Sequence, residues 1–211
     1  ALFGLDPEAS GEVVIDGRPG LPASPAAAMR AGLALVPEDR KRQGLVLSMS
    51  ALANTTLPTL RTLARLTFVS RRAERAVGGS FFRTLRVRAP SLDAVAAGLS
   101  GGNQQKLVLA KWLAARCRVL ILDEPTRGVD VGAKAEIHAL VDALAAGGTG
   151  VLLISSELPE VLHLSTRILV LREGRIAGEL PRAGATQAAL MRLMAGTAAG
   201  PDGPDDVRAT A

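Results

Sequence analysis

With 211 residues, the chain is long enough for one α/β domain carrying an insertion and too short for two complete ones. Hydrophobic residues make up 48% and aromatics only 2%, so the core must come from Leu, Val, Ile and Ala; the single cysteine, Cys117, excludes an internal disulfide, fits a reducing compartment and reads as a small buried hydrophobe. The net charge of +5 is concentrated between Thr59 and Pro90, where eight arginines (Arg61, Arg65, Arg71, Arg72, Arg75, Arg83, Arg86, Arg88) face one acid, Glu74. No nucleic-acid motif accompanies them, and the nearby aromatics are Phe68, Phe81 and Phe82. The basic stretch therefore reads as a solvated helical face or a surface near anionic lipid, with no nucleic acid expected as partner. No run approaches the ~20 apolar residues of a membrane span, and no basic-then-apolar leader opens the sequence. The expectation is a soluble protein whose membrane role comes through a partner.

In chain order, Ala1–Leu5 reads as the last turn of a helix that stops near Gly4. Ser10–Gly17 is a β-branched run closed by Asp16-Gly17, a hairpin signal. Pro25 opens a short Ala-rich helix, and Gly32–Val36 is a buried strand that runs into Pro37–Gln43, a dense charged loop. Residues 48–98 form a mainly helical insertion. Ser50 caps its first helix through Asn54 and Leu57, and the Arg-rich continuation is broken at Gly78-Gly79 and again at Pro90. Asn103–Ala115 is a helix burying Leu107, Ala110 and Leu113, with Trp112 as core packing.

Val119–Leu122 is a buried strand that delivers Asp123 and Glu124. A Gly-punctuated loop, 126–132, carries Asp130; the helix Ala133–Ala146 presents Ile137, Leu140, Val141 and Leu144 on one face and ends at Gly147-Gly148. Val151–Ile154 is the next buried strand, followed by Ser155-Ser156-Glu157 and a helix with Pro159 in its first turn. A strand, tight turn and strand span 167–178, a last helix runs from Thr186 to Met194, and 197–211 is a disordered tail. His138 and His163 have no matching ligand cluster and read as structural. Strands alternating with helices, most of them continuously apolar, predict a largely parallel sheet covered on both faces.

Two blocks carry chemistry. Leu99-Ser-Gly-Gly-Asn-Gln-Gln-Lys106 sets Ser100, Gly101 and Gly102 just before a helix, where backbone N–H groups and a hydroxyl can face an anion. Val119–Thr126 places two adjacent carboxylates, Asp123 and Glu124, at the carboxyl end of a strand, where ligands of open α/β sheets bind. Adjacent residues of an extended chain alternate sides, so one carboxylate can face a metal and the other a water. Together the blocks resemble the signature and Walker B motifs of ABC-type ATPases. With Val36–Leu45 (Val-Pro-Glu-Asp-Arg-Lys-Arg-Gln-Gly-Leu), Leu122–Lys134 and Ile154–Glu160, residues 1–196 resemble the second nucleotide-binding domain of the tandem ATPase subunits in bacterial importers of ribose, xylose, galactose or arabinose.

That resemblance implies a P-loop NTPase core of mostly parallel sheet, residues 1–47 and 99–196, with a helical subdomain at 48–98. It implies ATP and Mg²⁺ as ligands. Ser100, Gly101, Gly102 and Asn103 would close on the γ-phosphate of an ATP held by another ABC domain, either the amino-terminal one of the same subunit or a dimer mate. Asp123 would organise Mg²⁺ through water, Glu124 would be the general base, and Asp130 would sit in the loop between composite sites. Glu38 stands at the Q-loop glutamine position and Ser156 at the switch-histidine position, where it also reads as a plain helix-start residue. Both departures are typical of this subgroup and bear on how fast Asp123 and Glu124 support hydrolysis. No Gly-x-x-x-x-Gly-Lys-Ser/Thr occurs. The resemblance places that loop just before Ala1, so the expectation is a chain with little ATPase activity alone.

A membrane permease would dock near Glu38–Thr56 on the cytoplasmic face of the inner membrane, with a periplasmic sugar-binding protein as an indirect partner. Charge reversal at Arg40 or Lys41 is expected to uncouple transport while sparing the fold. A non-transport ABC ATPase acting on nucleic acid or ribosomes, and a non-catalytic module of the same fold, remain as alternatives. The transported solute is not legible in these residues.

Overall fold

A computed structural model describes residues 1–15 and 17–196; the expected tail at 197–211 and Asp16 of the expected turn lie outside the described residues. The chain divides into two units, Ala1–Ile154 and Ser155 onward. In the first, Gly4 N–H donates to Ala1 O (2.8 Å) in an opening turn, and an antiparallel hairpin pairs β1 (Val14–Ile15) with β2 (Arg18–Pro19). The Ser24 hydroxyl accepts from Ala27 N–H at 3.2 Å and starts α1 (Pro25–Arg30). Pro25 occupies the first turn, where a missing N–H costs nothing.

β3 (Leu33–Val36) follows, and its apolar run is buried as expected. The charged loop after it is not irregular throughout. Arg40–Gly44 winds into one π-helical turn, because the Asp39 carboxylate accepts from the amides of Lys41 (3.0 Å) and Arg42 (3.1 Å).

Ser50 accepts from Ala53 N–H at 3.1 Å and caps α2 (Ala51–Thr56), as its position predicts. Buried Asn54 fixes the entry to this helix, accepting from Val46 N–H (2.8 Å) and donating to Val46 O (2.9 Å) and Ser50 O (3.0 Å). A 3₁₀ turn leads to α3 (Leu60–Leu63) and a two-residue hairpin, β4 (Ala64–Arg65) with β5 (Phe68–Val69), that sequence periodicity did not reveal. Its two turn residues, Leu66 and Thr67, both have positive φ (50° and 73°), the backbone of a tight primed turn.

The expected break at Gly78-Gly79 does not occur: α4 (Arg71–Thr84) runs straight through it. Gly78 instead serves close packing, since a Cβ there would lie 2.2 Å from Leu52 Cδ1 on α2. The stability of that helix–helix contact outweighs the roughly 1 kcal/mol glycine costs a helix interior.

α5 (Gly101–Ala114) begins two residues before the expected start and is buried almost all round from Gln104 to Ala110, not along one stripe. It packs against α2, α4 and β3, and against α6 (Val131–Ala146). Leu113 is only partly buried. Trp112 is core, edge-on to Phe3 with ring centroids 5.6 Å apart.

Between those helices lies β6 (Val119–Asp123), which pairs in parallel with β3 on one side and with β7 (Gly150–Ile154) on the other. The order β3-β6-β7 puts Val36 opposite Leu122 and Asp123 opposite Ile154, so three carboxyl ends lie side by side. This is the parallel α/β sheet the apolar runs predict. β7 departs from its expected full burial, with Leu152 and Ile154 40% and 47% exposed.

The second unit holds α7 (Leu158–Leu164), β8 (Arg167–Arg172), β9 (Arg175–Pro181) and α8 (Gln187–Ala195). The strands pair antiparallel around the expected tight turn, and Ile168, Val170 and Leu190 form their core. Among the described residues no helix is long and apolar enough to cross a membrane.

Candidate functional site

Three loops at the carboxyl edge of the parallel sheet and the start of α5 make up the site. The first leaves β3 at Pro37-Glu38, the second leaves β6 at Glu124 and runs to Asp130, and the third is the Leu99–Gly102 turn. Pro37 and Pro125 are buried, which holds the two strand exits close to the core.

Asp123 ends β6 partly buried. Burial, then the negative charge of Glu124, raises its carboxyl above the usual aspartate range. Ionisation therefore costs folding free energy, and this group's contribution to stability falls as pH rises through that raised value. Glu124 N–H donates to Ile154 O at 2.9 Å, which carries the sheet one residue past the strand, and the backbone then turns to a left-handed φ of +47°. Such a conformation costs a non-glycine residue about 1–3 kcal/mol.

Ser100 caps α5, its hydroxyl accepting from Asn103 N–H (3.5 Å) and Asn103 Nδ2 (2.9 Å). Asn103 Oδ1 in turn accepts from Arg88 N–H at 2.7 Å, so both the oxygen and the nitrogen of the amide are engaged. Gly101 and Gly102 supply the first-turn amides of a 14-residue helix, with the positive end of its dipole.

Both glycines sit in close contact: a Cβ on Gly102 would lie 2.6 Å from Ala133 Cβ, and one on Gly101 would lie 3.0 Å from Gly128 O and 2.7 Å from the movable Arg40 Nη2. The turn thus packs directly on the start of α6, which Asp130 caps by accepting from Ala133 N–H at 2.9 Å. Farther along, Lys106 of α5 pairs with Glu136 of α6 and donates to Arg86 O at 3.2 Å. The Lys106 hydrogen bond holds the Glu136 carboxyl below its usual range.

Arg40 joins all three loops. Its guanidinium donates to Arg127 O (2.7 Å) and Gly128 O (3.1 Å) and lies under Gly101. In the reverse direction, Arg127 pairs with Glu38. The segments 38–40 and 127–128 are therefore clasped twice. These bonds bear on the expectation that reversing the Arg40 charge would spare the fold, because Arg40 acts as a strut between two loops. Lys41, by contrast, is exposed. The strut spans 87 residues of sequence, and no local pattern marks it.

Of the residues singled out from sequence, the structure places Ser100, Gly101, Gly102 and Asp130 in one packed cluster. It places Asp123, Glu124 and Glu38 on the neighbouring strand exits of the same unit, Glu38 through its pair with Arg127. Ser156 belongs to the second unit, between β7 and α7. Among the described residues no cluster of three or more His, Cys, Asp or Glu could hold a metal by itself. One carboxylate at a strand end, as at Asp123, fits a Mg²⁺ that takes its other ligands from water and phosphate.

Residues 1–127 match the family model described as ABC transporter. The chain is similar to the ribose import ATP-binding protein RbsA 2 of Streptomyces avermitilis, 52% identical over 199 residues covering 94% of this chain and 39% of the relative. It is also similar to the putative ribose/galactose/methyl galactoside import ATP-binding protein 3 of Agrobacterium fabrum, 48% identical over 93% of this chain and 39% of the relative. The chain spans about two-fifths of the length of these curated relatives. Among solved structures, its fold is similar to the dimeric ATP-binding cassette MJ0796 in a post-hydrolysis state bound to ADP and Pi. The TM-score is 0.72 at 22% identity, covering 87% of this chain and 78% of that one. A nucleotide-free ATP-binding cassette from an ABC transporter gives 0.71 at 21% identity, over 85% and 73% of the two chains. At these identities the solved structures speak for the fold.

Proposed function

The chain belongs to the ABC transporter family, and on that premise we propose that it is an ATP-binding domain of a sugar importer that supplies its signature turn to an ATP held by another ABC domain. That domain is the amino-terminal one of the same subunit or a dimer mate. The observation that carries the reading is the seating of Ser100–Gly102 at the start of α5, packed on the loop that connects Glu124 to Asp130. The Ser100 hydroxyl, oriented by Asn103, and the amides of Gly101 and Gly102 donate to the γ-phosphate oxygens, where charge grows during phosphoryl transfer. At the separate site on this chain's own strand ends, Glu124 would take the proton of an attacking water and Asp123 would hold a Mg²⁺ through water. That ion, when bound, offsets phosphate charge. Asp130, fixed as the cap of α6, sets the loop that meets the other domain, and Glu38 takes the Q-loop position. The 211 residues contain no Gly-Lys phosphate loop, so the chain alone hydrolyses ATP slowly or not at all.

The names of the relatives support ribose or a related sugar as cargo. We place the protein peripherally on the cytoplasmic face of the inner membrane, docked on a permease near Glu38–Thr56, with a periplasmic sugar-binding protein delivering the solute. Lys41, exposed beside the Arg40 strut, faces that partner. In the whole transporter, Lys41→Glu should lower sugar uptake severalfold with the melting temperature of the domain unchanged. Uptake equal to wild type would remove this docking site.

A further inference from the structure

The hairpin of β4 and β5 projects an apolar tip that nothing in the first unit covers. Leu66 is 87% exposed and Phe68 79%, whereas side chains of this kind are ordinarily buried or scattered singly. The tip carries its own strain: Leu66 and Thr67 hold left-handed φ values without a glycine or asparagine between them. Four arginines flank it, Arg61 and Arg65 before the turn and Arg71 and Arg72 after it, all exposed. None of the four makes an ion pair among the described residues, and residues 57–73 contain no acid at all. The nearby acids are engaged elsewhere: Glu74 accepts from Thr56 Oγ1 at 3.0 Å, and Asp93 pairs with Arg75 at 2.8 Å.

We propose that this hairpin is a membrane-contact tip, in which Leu66 and Phe68 enter the headgroup–acyl boundary of an anionic lipid surface while Arg61, Arg65, Arg71 and Arg72 bind its phosphates. Three features favour lipid over other polyanions. Two large apolar side chains at the very tip gain nothing from a phosphate backbone in water but are stabilised at an acyl boundary. Arginine stems can lie along that boundary with the guanidinium groups in the headgroup layer. Residues 57–73 hold no acid to oppose a negative leaflet, and the nearest acids, Glu74 and Asp93, are already bonded. Each arginine near such a surface should strengthen binding about fivefold, and the two apolar residues together tenfold or more.

The test is co-sedimentation of the 211-residue chain with vesicles of phosphatidylcholine alone and of phosphatidylcholine mixed with phosphatidylserine. Binding to the mixed vesicles only, falling in high salt, is expected. Leu66→Ser with Phe68→Ser should weaken it at least tenfold, and Arg65→Glu with Arg72→Glu by more. An equal charge change elsewhere, Arg18→Glu with Arg175→Glu, should largely preserve it. All of these side chains are exposed, so the variants should melt with the wild type, and a Phe68→Trp reporter should shift to the blue when anionic vesicles are added. Binding that survives loss of Leu66 and Phe68, or that is equal on neutral vesicles, overturns the proposal. So does failure to bind vesicles alongside tight binding to a DNA or RNA duplex, which would reassign the patch to nucleic acid.

Discussion

Arg40→Ala should lower the melting temperature by about 4–8 °C, as expected for losing roughly 2 kcal/mol in a domain of this size. The guanidinium makes two charge-assisted bonds to main-chain oxygens, to Arg127 O at 2.7 Å and Gly128 O at 3.1 Å. Removing it leaves both carbonyls to water and empties the space beneath Gly101. The Glu38–Arg127 pair, exposed to solvent, is too weak to hold the loop by itself. The loop between Glu124 and Asp130 should then open, and trypsin should cut after Arg127 faster than in the wild type. Arg40→Lys should recover less than half of the loss, because an ammonium cannot reproduce the planar fork across two adjacent carbonyls. Thermal melts and limited proteolysis read both effects; a melting temperature within a degree of wild type would show that the strut is dispensable.

Gly102→Ala should be nearly as damaging, for a different reason. The added methyl would lie 2.6 Å from Ala133 Cβ, and Ala133 has no rotamer through which to retreat. Helix α5 and the start of α6 must move apart, an overpacking cost of about 1–3 kcal/mol. Alanine's better helix propensity offsets little of this in the first turn. Gly98→Ala is the matched control, since nothing lies within 4 Å of its Cβ position. The pair, compared by thermal melts, should differ by about 5 °C. Equal stability would mean that the turn does not rest on α6.

The sheet was legible because its strands are nearly unbroken apolar runs, each ending in polar residues at the same edge. The caps at Ser50 and the helix start at Pro25 follow from single residues with local roles, and both were placed from sequence. Helix α4 was not, because glycine's weak helix propensity signals a break, and only the packing of Leu52 explains why the helix continues. Asp130 was read as a loop acid, yet its local role is to cap α6, which starts at the next residue. The hairpin at 64–69 escaped notice because its turn lacks the glycine or asparagine that marks such turns. Within the site, Ser100, Gly101, Gly102, Asp123 and Glu124 stand out as contiguous motifs. Arg40 does not, since its partners lie 87 and 88 residues away. Its charge suggests an exposed docking group until the carbonyls beneath it are seen.

The measurement that bears most directly on a signature turn acting in trans is Mg-ATP hydrolysis by the chain alone and after mixing with an amino-terminal ABC domain that carries its own phosphate loop. Silence alone and activity on mixing are expected, abolished by Ser100→Arg in this chain and retained in Glu124→Gln. Hydrolysis by the isolated chain that disappears in Glu124→Gln would contradict it, and would mean that these 211 residues hold a phosphate cradle of their own.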